Sequence, residues 1–198
     1  EIKQWKRIEV LKDYRFYIIC MTMLAMPWIA TGSFVYQSFI SSSKGWGPYV
    51  IAQSFMAYSI LSVITLFVSG FLIDKFSSRK LLIYMNFPLF FATIVLYYFD
   101  APVSSFVFFG LVGITNGLAN VLGSSTWAEI YGVKYIGSIK ALTTALMVFS
   151  TAFGTALFGF LIDIGFSIEQ IVVVSGTYIF SSIILLYLVK NKLNPNYL

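Results

Sequence analysis

The chain has 198 residues, of which 59% are hydrophobic and 11% charged, with a formal net charge of +5. So few charges cannot clothe a water-soluble domain of this length, which excludes the soluble globular classes. A single cysteine, Cys20, and no histidine exclude an intrachain disulfide framework, imidazole metal sites and Ser–His chemistry, and no metal or cofactor is expected.

The arm of residues 1–15 alternates charge with Trp5, Ile8 and Leu11, spaced three apart. That spacing suits a short helix lying at a membrane interface, or equally the end of an interdomain linker. Six uncharged runs follow: Phe16–Ser43, Gly45–Ile73, Leu81–Phe99, Ala101–Ala128, Ala141–Ile162 and Gln170–Val189. Each approaches or exceeds the ~20 residues that cross ~30 Å of hydrocarbon as a helix. Helices are the economical choice, because lone strands cannot hide their amides in lipid. The domain organisation is therefore an arm (1–15), an all-α membrane domain of six spans (16–190) and a short tail (191–198).

Pro27 predicts a kink in the first run. Trp28, Gly32 and Tyr36 share one face there, and Tyr36 and Gln37, near its far end, could meet an entering solute. In the second run Ser54, Tyr58, Ser62, Thr65 and Ser69 fall in one arc, facing either a neighbouring helix or a substrate path. The third and sixth runs are dominated by Leu, Ile and Phe and read as lipid-facing. The fourth holds Gly113 and Gly117 in GxxxG spacing, with Asn116 and Asn120 four apart. Amides in hydrocarbon need protein or a hydrated cavity, so this pair faces a solute or another helix. The segment Trp127–Lys140 reads as the longest internal connection, and the fifth run is rich in small residues suited to close packing. No Asp, Glu, Lys or Arg stands mid-run, so a proton-coupling group is not visible.

Twelve Lys/Arg lie before the first run and after the second, fourth and sixth; Lys44 alone lies on the other side. This bias puts both termini in the cytoplasm. It also accounts for the net charge, so nucleic-acid binding is not expected. The chain opens on Glu1 rather than Met, as a piece of a longer protein would.

The pentapeptide GFLID ends the second run at Gly70–Asp74 and the fifth at Gly159–Asp163. The two copies exit on opposite sides, dividing six spans into two inverted triplets, a plan common in secondary transporters. A chance match in a Phe/Leu/Ile-rich chain is the alternative. Only the first copy continues into charge, as GFLIDKFSSRKLL.

That stretch resembles the signature loop of the major facilitator superfamily, glycine–x–x–x–aspartate–basic–x–glycine–x–basic–basic. Gly70, Asp74, Lys75, Arg79 and Lys80 match it, while Ser77 stands where the loop glycine is usual. Residues 127–163 resemble the stretch joining the tenth and eleventh helices of bacterial members, grouped with monocarboxylate and oxalate/formate-type carriers. The glycine–proline pair expected there is Gly154–Thr155 here.

The resemblance implies the C-terminal six-helix half of a carrier that alternates access against a missing N-terminal half. It implies that Gly70 permits tight helix packing and that Asp74 and Arg79 join a gating charge network. Glu129 would partner Arg79 or Lys80 in that network. The family's oxalate carriers use basic residues within the membrane, and none is visible here, so a dicarboxylate is not supported.

The expectation is a non-enzymatic secondary transporter for a small solute, a monocarboxylate among the options, in a bacterial inner membrane. Its expected partners are the lipid bilayer, the missing half and the solute. A six-helix scaffold or sensor is the alternative. An ATP-driven exporter is disfavoured, because Gly132–Ile139 has Ser138 where a phosphate-binding loop needs lysine.

Overall fold

The structure is a computed structural model that describes residues 3–194. Nine α-helices and a closing 3₁₀ turn, Lys190–Leu193, follow one another with no strand among the described residues. They are α1 (Arg7–Lys12), α2 (Tyr14–Val35), α3 (Gln37–Lys44), α4 (Val50–Phe76), α5 (Ser78–Leu82), α6 (Phe87–Tyr98), α7 (Pro102–Tyr131), α8 (Ile136–Asp163) and α9 (Ile168–Val189). Six segments are long and apolar enough to cross a membrane: α2, α4, α5–α6, α7, α8 and α9 with its 3₁₀ turn. The arm and residues 190–194 share one end of the bundle, hereafter the terminal end, where Arg15 Nη1 donates to the Lys192 carbonyl (2.7 Å).

The helix ends follow local chemistry. Asp13 caps α2 by accepting from the Arg15 amide at 3.0 Å, and Ser167 and Gln170 form a reciprocal capping box on α9. α3 stops at Gly45, whose φ of +66° suits a residue without a Cβ.

Packing carries a hidden two-fold pattern. α2 lies against α8 and α9, whereas α7 lies against α4 and α6. Exchanging the first triplet of spans with the second turns each of these pairings into the other, the relation expected of two inverted repeats. Glycines set the closest approaches in both. Gly154 of α8 meets the Trp28 backbone of α2, and Gly113 of α7 meets the Tyr58 backbone of α4. A Cβ at either position would collide with main chain, so small residues decide how near these helices come.

Several boundaries differ from the charge-based reading. The first run is broken at Tyr36 into α2 and α3, while Pro27 lies inside α2 without ending it. The Trp127–Lys140 connection shrinks to Gly132–Tyr135, since α7 runs through Glu129 to Tyr131 and α8 already includes Lys140. A 30-residue helix is about 45 Å long, so α7 outreaches the hydrocarbon and carries its acid beyond it. The third span opens with α5 and a turn before α6, where Pro88 sits in the first turn. In the arm, Trp5 and Val10 are buried and Ile8 is exposed, so α1 docks by a different face from the one the spacing suggested. Of the polar tail, residues 195–198 lie outside the described residues.

The helices are unequally covered. In its most apolar stretch 61% of α2 is buried, against 11% of α4 and 22% of α8. α2 is thus a central element, and α4 and α8 present long faces that this chain does not cover.

Candidate functional site

Between α2, α4, α7 and α8 opens a cavity of about 480 Å³. Tyr58 of α4 lines it, with Asn116, Asn120 and Ser124 of α7. Thr31 enters from α2, and α8 contributes Thr143, Thr144 and Lys140, the one charged residue of the lining. Asn116 Nδ2 donates to Ser62 Oγ across the α4–α7 seam at 2.8 Å, which holds its amide in place. Asn120 Nδ2 donates to the Asn116 carbonyl at 2.8 Å, and Asn120 itself is exposed. The Tyr58 ring sits edge-on to Phe34, with centroids 5.1 Å apart. The structure brings Tyr58, Asn116 and Asn120 together.

Tyr36 and Gln37 belong elsewhere. The Tyr36 ring stacks on Phe158, with centroids 6.3 Å apart, and its hydroxyl fills the space beside Gly159. Gln37 lines a separate shallow hollow with Trp46. α2 ends at Tyr36, so Gln37 belongs to a separate helix, α3. The Trp28–Gly32 face likewise packs on α8, through Gly154 and Phe158. Much of the α4 hydroxyl stripe is interhelical contact too: Ser54 Oγ donates to Ser105 Oγ at 2.8 Å, and Ser62 accepts from Asn116.

Lys140 was missed because charge counting treats it as a loop cation. A usable signal was present: Lys140, Thr143, Thr144 and Met147 recur at i, i+3, i+4 and i+7 and all line the cavity. Lys140, counted as a loop residue, is thus a residue of α8 that lines the cavity.

At the terminal end, the Arg79 Nε lies 3.0 Å from Glu129 Oε1. Glu129 Oε2 accepts from the Ser78 amide at 2.8 Å, from the Ser78 hydroxyl, and from the Arg79 amide at 3.4 Å. One carboxylate thereby satisfies the opening amides of α5 and pairs with its arginine. To aim these donors the chain turns at Ser77, where φ is +69° and ψ 148°. Ser77 is the one non-glycine residue with positive φ among those described, and it occupies the loop-glycine position of the signature. Its buried hydroxyl has no hydrogen-bond partner.

The rest of the loop stands apart. Asp74 is exposed and forms no ion pair among the described residues, Lys75 lies 5.3 Å from the Phe76 ring, and Lys80 points to a different hollow. No atom lies near the open side of Gly70, so the tight packing expected there does not occur within this chain. The packed face of α4 runs instead along Tyr58 and Ser62, against the glycines of α7.

Two further charge clusters fix the ends. At the terminal end the Arg15 guanidinium, buried, grips Asp13 through Nε and Nη2 at 2.8 Å each, and the Tyr131 hydroxyl donates to the same carboxylate at 3.1 Å. At the opposite end Lys44, with its side chain 1% exposed, reaches Asp100 at 2.7 Å and Glu169 at 3.0 Å. Burial alone would lower the Lys44 pKa; hydrogen bonds to Asp100 and Glu169 outweigh it and raise the value above 10.5.

Six apolar helical spans, with a polar cavity among four of them, describe a multi-pass membrane protein. The family model of the Major Facilitator Superfamily matches residues 17–196, and the chain belongs to that family of membrane transporters. No curated protein matches it.

Proposed function

We propose that this chain is the C-terminal six-helix half of a secondary transporter that moves a small anionic solute, a monocarboxylate in the first instance, by alternating access. The cavity is the observation that carries this reading. Its lining offers amides and hydroxyls from Asn116, Asn120, Tyr58 and Thr143, one cation at Lys140 and no acid. A lone ammonium among neutral donors suits one carboxylate: it supplies attraction without the paired cations that a dianion would call for. The uncovered faces of α4 and α8 suit a second half closing over the same space.

Gating rests on the terminal-end loop. Glu129 and Arg79 hold α5 against α7 within this half, leaving Asp74 and Lys75 exposed to engage the other. Rocking of the halves would break only the second set of contacts. In this reading both termini are cytoplasmic and the membrane is a bacterial inner membrane.

The test is uptake of radiolabelled short monocarboxylates into proteoliposomes holding the complete carrier. Lys140→Gln should raise KM by about tenfold, the loss of one charge-assisted hydrogen bond, with insertion unchanged. Uptake indifferent to Lys140→Gln would overturn the anionic-solute reading. No uptake of any small solute, with the chain in stable complex with a non-transport protein, would favour a scaffold.

A further inference from the structure

A further hollow of about 460 Å³, sharing no lining residue with the cavity, opens at the terminal end between α5 and the closing 3₁₀ turn. Arg79, Lys80, Lys190, Asn191 and Asn194 supply its polar lining, and Ile83 its apolar floor. Glu129 offsets the charge of Arg79, 3.0 Å away, so the surplus belongs to Lys80 and Lys190. Arg79 Nη1 also donates to Asn194 Oδ1 at 2.8 Å, which ties the two walls together. Beneath them Leu82 and Leu193 are buried in one apolar cluster, so the hollow is preformed. The Lys190 ammonium rests 3.5 Å from the centre of the Tyr187 ring, held at the rim.

What adjoins the hollow identifies its ligand. Along the third span from Lys80 the exposed residues are Tyr84, Phe87 and Phe91, and along α9 from Lys190 they are Leu188, Tyr187, Leu185 and Ile184. Cations, then a level that includes the amphipathic rings of Tyr84 and Tyr187, then hydrocarbon alone, match what a phospholipid lying along the bundle presents: phosphate, interface, acyl chain. A free anion would need only the first layer. The seam between α6 and α9 continues to the Phe90–Phe180 stack, with centroids 5.7 Å apart near mid-span.

We propose that Arg79, Lys80 and Lys190 form a binding site for the phosphate of an anionic phospholipid, whose acyl chains lie along the α6–α9 seam. Because Arg79 also holds Glu129, an occupied site bears directly on the loop that follows Asp74.

The full chain, extracted from bilayers of mixed phosphatidylglycerol and phosphatidylcholine, would be examined by native mass spectrometry. The wild type should retain phosphatidylglycerol in preference. Lys80→Gln with Lys190→Gln should cut that preference roughly 30-fold, and each single exchange roughly 5-fold, from the attraction of each surface cation. Lys134→Gln, a cation of the same end outside the hollow, should leave it nearly unchanged. Undiminished preference in the double variant, or an equal loss in Lys134→Gln, would overturn the site. Displacement of the lipid by excess inorganic phosphate would overturn the lipid as its ligand.

Discussion

The charge cluster around Lys44 and the one around Glu129 stand at opposite ends of the bundle and are built on opposite lines. Lys44 gathers Asp100 and Glu169 from two other turns, and nothing in that cluster is left without a partner. Around Glu129 the pairing is partial: Arg79 and the start of α5 are held, while Asp74 stands exposed and Ser77 holds a strained backbone. The first arrangement locks three turns into one cap. The second leaves charge and strain available to something outside this chain. The solitary cation that breaks the twelve-to-one charge bias is thus a buried structural group.

The largest effect expected from breaking these clusters is in the terminal-end clasp beside Glu129. Asp13→Asn leaves the buried Arg15 guanidinium without its counter-charge, and thermal unfolding in detergent should show a loss of about 3–5 kcal/mol. At the opposite end Asp100→Asn with Glu169→Gln strands Lys44, but both acids are partly exposed and water reaches the site. There the same measurement should show about 2 kcal/mol. Because the Lys44 pKa is raised, its contribution is complete below 10.5 and disappears as pH rises through the folded value, so wild type and double variant should converge in strong alkali.

Ser77→Gly should work the other way. It relieves a backbone conformation suited to glycine and stabilises by about 1 kcal/mol after the entropy of the new glycine is counted. An unchanged melting temperature would mean that Ser77 carries no strain. Asp74→Asn should have the smallest effect on stability, within about 0.5 kcal/mol for an exposed unpaired charge, yet lower transport in the complete carrier. Unaltered uptake kinetics would remove Asp74 from the gate.

Much of the fold was legible. Runs of uncharged residues give the number of spans, because crossing hydrocarbon depends on local composition. The repeated GFLID pointed to two inverted triplets, a division echoed when α2 pairs with α8 as α7 pairs with α4. Span ends were less legible, because charge marks where solvation begins and helices outlast that boundary: Glu129 and Lys140 both lie on helices. The cavity was half legible. Asn116 and Asn120 advertise themselves as amides in a greasy run, whereas Lys140 was hidden by its place near a loop. Tyr36 and Gln37 were misplaced because nothing local announces the break between α2 and α3.

The sequence by itself determined that this protein lives in a membrane, with six spans and a charged loop after the second. Each of those properties is a sum over neighbouring residues. The tertiary structure alone decided which charges meet. Glu129 reaches Arg79 across fifty positions, Lys44 reaches Glu169 across one hundred and twenty-five, and Lys140 lines the cavity while Lys80 lines a separate hollow with Lys190. Such pairings depend on how glycines let helices approach and where the chain turns, and no run of adjacent letters contains that geometry.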